Sequence, residues 1–162
     1  WLPDYALKKA KVYFQKGGYK LLVTTGGRIR IGSLVSEHET WAELALSSLN
    51  QLGVPQKKII AVPGLLNIKK DRTYHAALAV KKRLSLEGLN GTSIDIVSLG
   101  THARRSWFLF EDVFSTVNVG VISISPNDYD VSRWWFFSEG VRSVVSESIA
   151  YFYARFIFSS TT

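Results

Sequence analysis

The stretch LLVTTGGRIR, residues Leu21–Arg30, has the pattern of a buried strand that runs into a ligand-binding turn. Its apolar run predicts a strand over Leu21–Thr25, and the Thr-Thr-Gly-Gly sequence predicts a turn whose backbone N–H groups can approach an anion closely. Arg28 and Arg30 follow the turn, and their guanidinium groups suit phosphate or carboxylate oxygens. We therefore interpret this stretch as one wall of a binding crevice.

Three further apolar runs predict strands at Ile59–Val62, Ile94–Leu99 and Val119–Ile124. Segments with helical spacing lie between them, so strands and helices alternate along the chain. This alternation favours right-handed βαβ crossovers and an α/β fold, namely a three-layer Rossmann-like domain with a mostly parallel sheet. Ligands of such sheets bind outside the carboxyl ends of the strands, where the loops meet.

Helical spacing and turn residues also predict the helices around this sheet. The first helix is predicted over Trp1–Gly18 and the last over about Ser138–Phe156. Ser36 and Glu39 have the spacing of a capping box, which predicts the start of the second helix. The near-continuous apolar character of Val119–Ile124 predicts a strand that is buried on both faces. The inward side chains of the last helix are predicted to be Val141, Val144, Val145, Phe152 and Phe156.

The length of 162 residues and the hydrophobic content of 46% predict one domain over residues 1–162. A doubly wound fold normally begins with a strand, whereas this chain begins with a predicted helix. We therefore expect the first strand, and with it one side of the crevice, to be missing from this chain and to lie upstream of Trp1. The absence of methionine agrees with the removal of an upstream segment.

The formal charge of +7 points to an anionic partner, but the basic residues are scattered and form no nucleic-acid-binding arm. A small anionic ligand is therefore favoured over nucleic acid. The chain has no cysteine, which excludes disulfides and cysteine nucleophiles and leaves the cytoplasm and the cell envelope both open. No run is long enough to span a bilayer, so membrane contact is expected only through an upstream anchor.

The loops after three predicted strands carry the candidate ligand-binding residues. Glycines allow close backbone approach, helix starts supply partial positive charge, and arginines bind oxyanions. Each feature also has a purely structural interpretation, because a Gly-Gly pair forms tight turns and a threonine caps helices. The candidates from these loops are Thr25, Gly26, Gly27, Arg28, Arg72, Thr73 and Arg105.

His102 and Asp128 are the candidate catalytic residues. His102 follows a predicted strand and precedes two arginines, so it is either a hydrogen-bond donor or general base, or a capping and packing residue. Asp128 and Asp130 lie after the fourth predicted strand and either bind Mg²⁺, act as a base, or form turn hydrogen bonds. His38 and His75 show no metal-ligand spacing, and we predict no metal site from histidines.

The order of these motifs resembles the YdcF/SanA/ElyC-like family of bacterial proteins over about Lys20–Phe156. The resemblance is carried by the Gly-Gly turn after a strand and by an H-x-x-R sequence after a later strand. The family's usual Thr-x-Glu-Asn reads Thr-Tyr-His-Ala here. The matching positions are Thr24–Gly27, Leu52–Pro55, Thr73, Val97–Ser98, His102–Arg105 and Glu147.

The resemblance implies a Rossmann-like fold, a nucleotide-type ligand such as S-adenosylmethionine, and a role in bacterial envelope or peptidoglycan-precursor metabolism. It also adds Glu147 to the ligand-binding set. We hypothesise that the protein binds an acidic or phosphorylated small molecule and, if it is an enzyme, catalyses transfer or hydrolysis at a phosphate-bearing envelope precursor. The alternative is a non-catalytic nucleotide-sensing or interaction protein in which the aromatic loop Trp134–Phe137 docks a partner.

Overall fold

The computed structural model describes residues 2–30, 32, 34, 36–64, 70–89, 91 and 93–159. Trp1, the predicted start of the first helix, lies outside the described residues. The chain divides into two compact units, Trp1–Asn90 and Gly91–Thr162. The predicted mixed α/β class is confirmed, with short parallel sheets of two strands each. The elements are α1 (Asp4–Lys16), β1 (Leu22–Gly26), α2 (Trp41–Gln51), β2 (Ile59–Pro63), α3 (Arg72–Leu86), β3 (Ser93–Leu99), α4 (His102–Val113), β4 (Asn118–Ile124) and α5 (Ser138–Phe156).

The first unit is built on α1, α2 and the parallel pair β1–β2. Leu22 lies opposite Ile59 and Gly26 opposite Pro63, and α2 packs on both strands. The buried Thr24 hydroxyl donates to the backbone carbonyl of Ala42 over 2.8 Å, which fixes α2 on the strand. Apolar side chains from α1, α2 and the segment into β2 form the core, namely Leu7, Phe14, Ala45, Leu49, Val54 and Ile59.

Helix α2 begins later than the sequence predicts. Its N-cap is Thr40, whose hydroxyl accepts from the Glu43 N–H over 3.2 Å while the Glu43 carboxylate accepts from the Thr40 N–H over 3.0 Å. The predicted capping box of Ser36 and Glu39 is wrong, because the Ser36 hydroxyl accepts instead from the N–H of His38 over 3.1 Å. Two Ser/Thr-x-x-Glu sequences occur here, and only the second adjoins the helix.

The second unit is built on the parallel pair β3–β4 with α4 packed on both strands. Helix α4 also contacts α5 through alternating arginine and aromatic side chains. The Arg104 guanidinium lies 4.6 Å from the centre of the Tyr151 ring, and that of Arg155 lies 5.2 Å from the centre of the Phe108 ring. The Phe108 and Tyr151 rings meet edge to face. These contacts help to hold the two helices together.

The predicted burial of β4 and α5 is wrong in part. Val121 of β4 is exposed, so this strand is not buried on both faces. In α5 the buried residues are the small Gly140 and Ala154. Periodicity identifies an apolar face but does not determine whether the fold covers it. No helix in the described part of the chain is long and apolar enough to cross a membrane. The predicted inward residues of α5 that are exposed are Val141, Val145, Phe152 and Phe156.

Candidate functional site

A tight turn at the end of β3 delivers His102 into the first turn of α4. Gly100 has a φ of +48°, a left-handed conformation that favours glycine. Its N–H donates to the Ile124 carbonyl over 2.8 Å, and its carbonyl accepts from the Ser123 hydroxyl over 3.0 Å. Because both partners belong to β4, the turn is fixed to the carboxyl end of the neighbouring strand.

The start of α4 has no side-chain cap and no acidic residue in its first turn. The start of α2 differs, since the Glu43 carboxylate already accepts hydrogen bonds there. Free N–H groups and the helix dipole give the first turn of an uncapped helix a partial positive charge. In α4 the Ala103 N–H already donates to the Gly100 carbonyl over 3.2 Å. The partial positive charge of this helix start still attracts an approaching anion, whereas an anion that approaches α2 meets a carboxylate.

Arg105 and Glu147 form a two-pronged ion pair between α4 and α5. Arg105 Nε donates to Glu147 Oε2 over 2.8 Å, and Arg105 Nη2 donates to Glu147 Oε1 over 3.0 Å. The two side chains are only 20% and 21% exposed. Parallel hydrogen bonds of this kind combine charge with a fixed geometry. The pair brings together two predicted ligand-binding residues that lie 42 positions apart.

His102 lies against both members of this ion pair. Its Nδ1 is 3.0 Å from Arg105 Nη2 and 3.2 Å from Glu147 Oε2. These two contacts need opposite roles for one nitrogen: Nδ1 accepts from Arg105 when it carries no proton and donates to Glu147 when it does. The hydrogen-bond partner of Nδ1 therefore depends on whether this nitrogen carries a proton, in either the neutral or the charged ring. The ring itself is 38% exposed.

The carboxyl group of Glu147 stays ionised over the whole neutral and mildly acidic range. Burial tends to raise its pKa, but hydrogen bonds from His102 and Arg105, together with their charges, lower the pKa from 4.5 to about 2. The carboxylate is therefore a permanent negative charge beside the imidazole. With Arg105 it forms a neutral pair, so the cluster of the three side chains is neutral whenever His102 is uncharged.

The predicted residues after β1 lie together in the first unit. A Cβ on Gly26 would lie 2.7 Å from Trp41 Cβ, and the Gly27 carbonyl accepts from the Trp41 N–H over 2.9 Å. Arg28 is exposed and forms an isolated antiparallel bridge with Thr40. The Gly-Gly pair thus brings the start of α2 close to the strand.

Thr25 and the start of α3 are the other predicted positions in the first unit. The Thr25 hydroxyl oxygen is buried, and it has no hydrogen-bond partner among the described residues. Arg72 is the first residue of α3 and is exposed, whereas Thr73 is half-buried. Asp71 occupies the N-cap position of α3, with a φ of 50° and no side-chain cap.

In the acidic loop after β4, the Asp130 side chain accepts hydrogen bonds within a turn. The Asp130 carboxylate accepts from the N–H of Ser132 over 2.8 Å and from its hydroxyl over 2.7 Å. Asp128 is exposed in the same loop. In the described part of the chain, no group of three or more His, Asp or Glu side chains is placed to hold a metal ion.

Sequence reasoning missed Ser143, whose hydroxyl reaches Thr101 beside His102. The available signal was its position on α5, four residues before Glu147 and hence on the same helical face.

Comparison of the chain with family models, with curated proteins and with solved structures finds no match.

Proposed function

We propose that the carboxyl end of β3 and the start of α4 bind a small molecule that bears phosphate or carboxylate, and that His102 holds or moves a proton on it. The observation that carries this proposal is the contact of His102 Nδ1 with both Arg105 and Glu147. A histidine whose one nitrogen is fixed by a carboxylate and whose ring is partly exposed has the arrangement of an oriented proton carrier.

The charges around His102 assign different roles to the predicted residues. Glu147 neutralises Arg105, so the guanidinium orients the imidazole instead of meeting the ligand directly. The negative charge of the ligand faces the N–H groups in the first turn of α4 and the His102 ring. Protonation of His102 adds one positive charge to an otherwise neutral cluster, and anion binding is therefore coupled to proton uptake.

The chemistry that suits this arrangement is proton transfer during group transfer or hydrolysis at a phosphate. His102 donates a proton to the leaving oxygen or removes one from an attacking hydroxyl, while Glu147 stabilises the protonated ring. Nucleotide-type compounds and envelope precursors are the ligand classes that we propose, in line with the family resemblance. The three-layer Rossmann-like arrangement belongs to the same proposal.

Ligand binding to wild-type protein and two histidine variants tests the proposal. The probes are inorganic phosphate, nucleotides, nucleotide sugars, polyprenyl phosphate analogues and S-adenosylmethionine, first in thermal-shift and then in calorimetric measurements. We expect His102→Gln to weaken binding of the best probe by at least about tenfold. His75→Gln is the matched control and should bind as the wild type does. Wild-type affinity in His102→Gln would refute the role of His102.

Calorimetry in two buffers of different ionisation enthalpy tests the coupling to protons. Wild-type protein should take up protons when the anion binds, and His102→Gln should not. Conversion of a bound phosphate compound by wild-type protein, and its loss in His102→Gln, would identify an enzyme. Binding with proton uptake but without conversion would favour the sensing alternative.

A further inference from the structure

We infer that Thr101, Ser143 and Tyr129 are positioning residues for the His102–Arg105–Glu147 cluster. Their three hydroxyl groups form a chain that joins the loop after β4, the turn before α4 and the first half of α5. The inference rests on the proposed role of His102, but it is a statement about how Glu147 is held beside that residue. It adds Ser143 and Tyr129 to the residues on which the site depends.

The hydroxyl chain is continuous between the three segments. Thr101 Oγ1 lies 3.1 Å from Ser143 Oγ, and the Tyr129 hydroxyl donates to Ser143 Oγ over 3.4 Å. The Tyr129 oxygen also lies 3.6 Å from the place where a Cβ on Gly100 would stand. The chain therefore passes directly over the turn that precedes His102.

Two cross-links, one helical turn apart, connect the start of α4 to α5. The first joins Thr101 to Ser143, and the second joins His102 and Arg105 to Glu147. Thr101 immediately precedes His102, and Ser143 lies four residues before Glu147, so the two cross-links share the same helical faces. The first one limits how far α5 can tilt or rotate, and this limit sets the position of the Glu147 carboxylate.

A position fixed to a few tenths of an ångström matters here because Nδ1 of His102 has two competing partners. A small outward movement of α5 would lengthen the His102–Glu147 contact and leave the Arg105–His102 contact intact, since the latter lies within α4. Loss of the hydroxyl chain would therefore weaken the stabilisation of the ionised Glu147 carboxylate by its neighbours on α4.

The test is a titration of the Glu147 carboxyl carbon by NMR in the ligand-free protein, between about pH 1.5 and 6. Ser143→Ala and Thr101→Val should raise the midpoint of Glu147 by about half a unit or more, which is about a threefold gain in proton affinity. Thr101→Ser keeps the hydroxyl and should titrate as the wild type does. Tyr129→Phe should produce a smaller rise in the same direction.

Ser146→Ala is the matched control, because the Ser146 hydroxyl donates to the Ser143 carbonyl within α5 over 3.3 Å and does not belong to the chain of three hydroxyl groups. If Glu147 titrates with the wild-type midpoint in both Ser143→Ala and Thr101→Val, the inference is wrong. If Ser143→Ala does not fold, the comparison of Thr101→Val with Thr101→Ser decides the question. These results do not depend on a ligand, so a failed probe screen and a failed positioning inference are separate outcomes.

Discussion

At the scale of single residues, Glu147 links the stability of the protein to pH. Its pKa of about 2 in the folded protein lies below its ordinary value of 4.5, so its stabilising effect is complete above about pH 5 and is lost as the pH falls toward 2. The sign follows from the lowered pKa, because the unfolded chain binds the proton more tightly than the folded chain does. The upper limit of the effect is about 3 kcal/mol.

Replacement of Glu147 by Gln should therefore lower the free energy of unfolding by about 2 kcal/mol at pH 7, since it leaves the Arg105 guanidinium largely buried without its counter-charge. The variant should also lose much of the dependence of stability on pH between 5 and 2. Urea unfolding followed by tryptophan fluorescence measures both effects.

Glu139→Gln is the control for this experiment, because Glu139 pairs with Arg142 on the surface of α5, where the two side chains are 49% and 76% exposed. An exposed pair of this kind contributes less than about 1 kcal/mol. Equal losses of stability in the two variants would contradict the assignment of a special role to Glu147.

Gly26 provides a second prediction at the residue scale. A methyl group at this position would stand 2.7 Å from Trp41 Cβ and 3.3 Å from the Ala42 nitrogen, so Gly26→Ala should cost about 1–3 kcal/mol of stability. A Cβ on Gly27 would meet no atom of the described residues within 4 Å, and Gly27→Ala should change stability by less than about 0.5 kcal/mol. Thermal unfolding of both variants measures the two changes in stability. Equal stabilities would show that the close approach of Gly26 to α2 does not contribute to stability.

At the scale of elements, the start of α2 shows how local signals compete. Thr40→Ala should lower the free energy of unfolding of the first unit by about 1 kcal/mol, because it removes the hydroxyl that caps the Glu43 N–H. Ser36→Ala removes only a local turn contact and should cost clearly less. Denaturant unfolding compares the two, and a larger loss in Ser36→Ala would restore the capping box that the sequence predicts.

At the scale of the whole molecule, charge is divided unevenly between the two units. Residues 1–90 contain 15 Lys and Arg but six Asp and Glu, whereas residues 91–162 contain five and seven. The net charge of the first unit is thus +9 and that of the second −2. Self-repulsion of a strongly charged unit opposes folding and is screened by salt.

Raising the salt concentration from about 0.02 to 0.5 M should therefore stabilise the first unit, by on the order of 1 kcal/mol, and leave the second nearly unchanged. Hydrogen exchange measured by mass spectrometry separates the two responses, because peptides from each unit are followed individually. The same slowing of exchange in both units would argue for a salt effect unrelated to net charge.

The sequence by itself determined the type and order of the elements and one part of the site. Apolar runs, glycines and helical spacing act over a few residues, so the strands and helices in the described part of the chain follow the predicted order, although α2 begins at Trp41 and is capped by Thr40 instead of Ser36. His102 and Arg105 lie three positions apart, a spacing that brings both side chains to one face of a helix, and in α4 His102 Nδ1 lies 3.0 Å from Arg105 Nη2.

Only the tertiary structure decided which partners these local features have. The pairing of Arg105 with Glu147 spans 42 positions, and the choice between Ser36 and Thr40 as the cap depends on where α2 meets β1. The apolar stripe of α5 was visible in the sequence, but its exposure follows from the packing of this helix through Gly140 and Ala154. Such outcomes depend on how whole elements pack against each other, and the sequence near a residue does not contain that information.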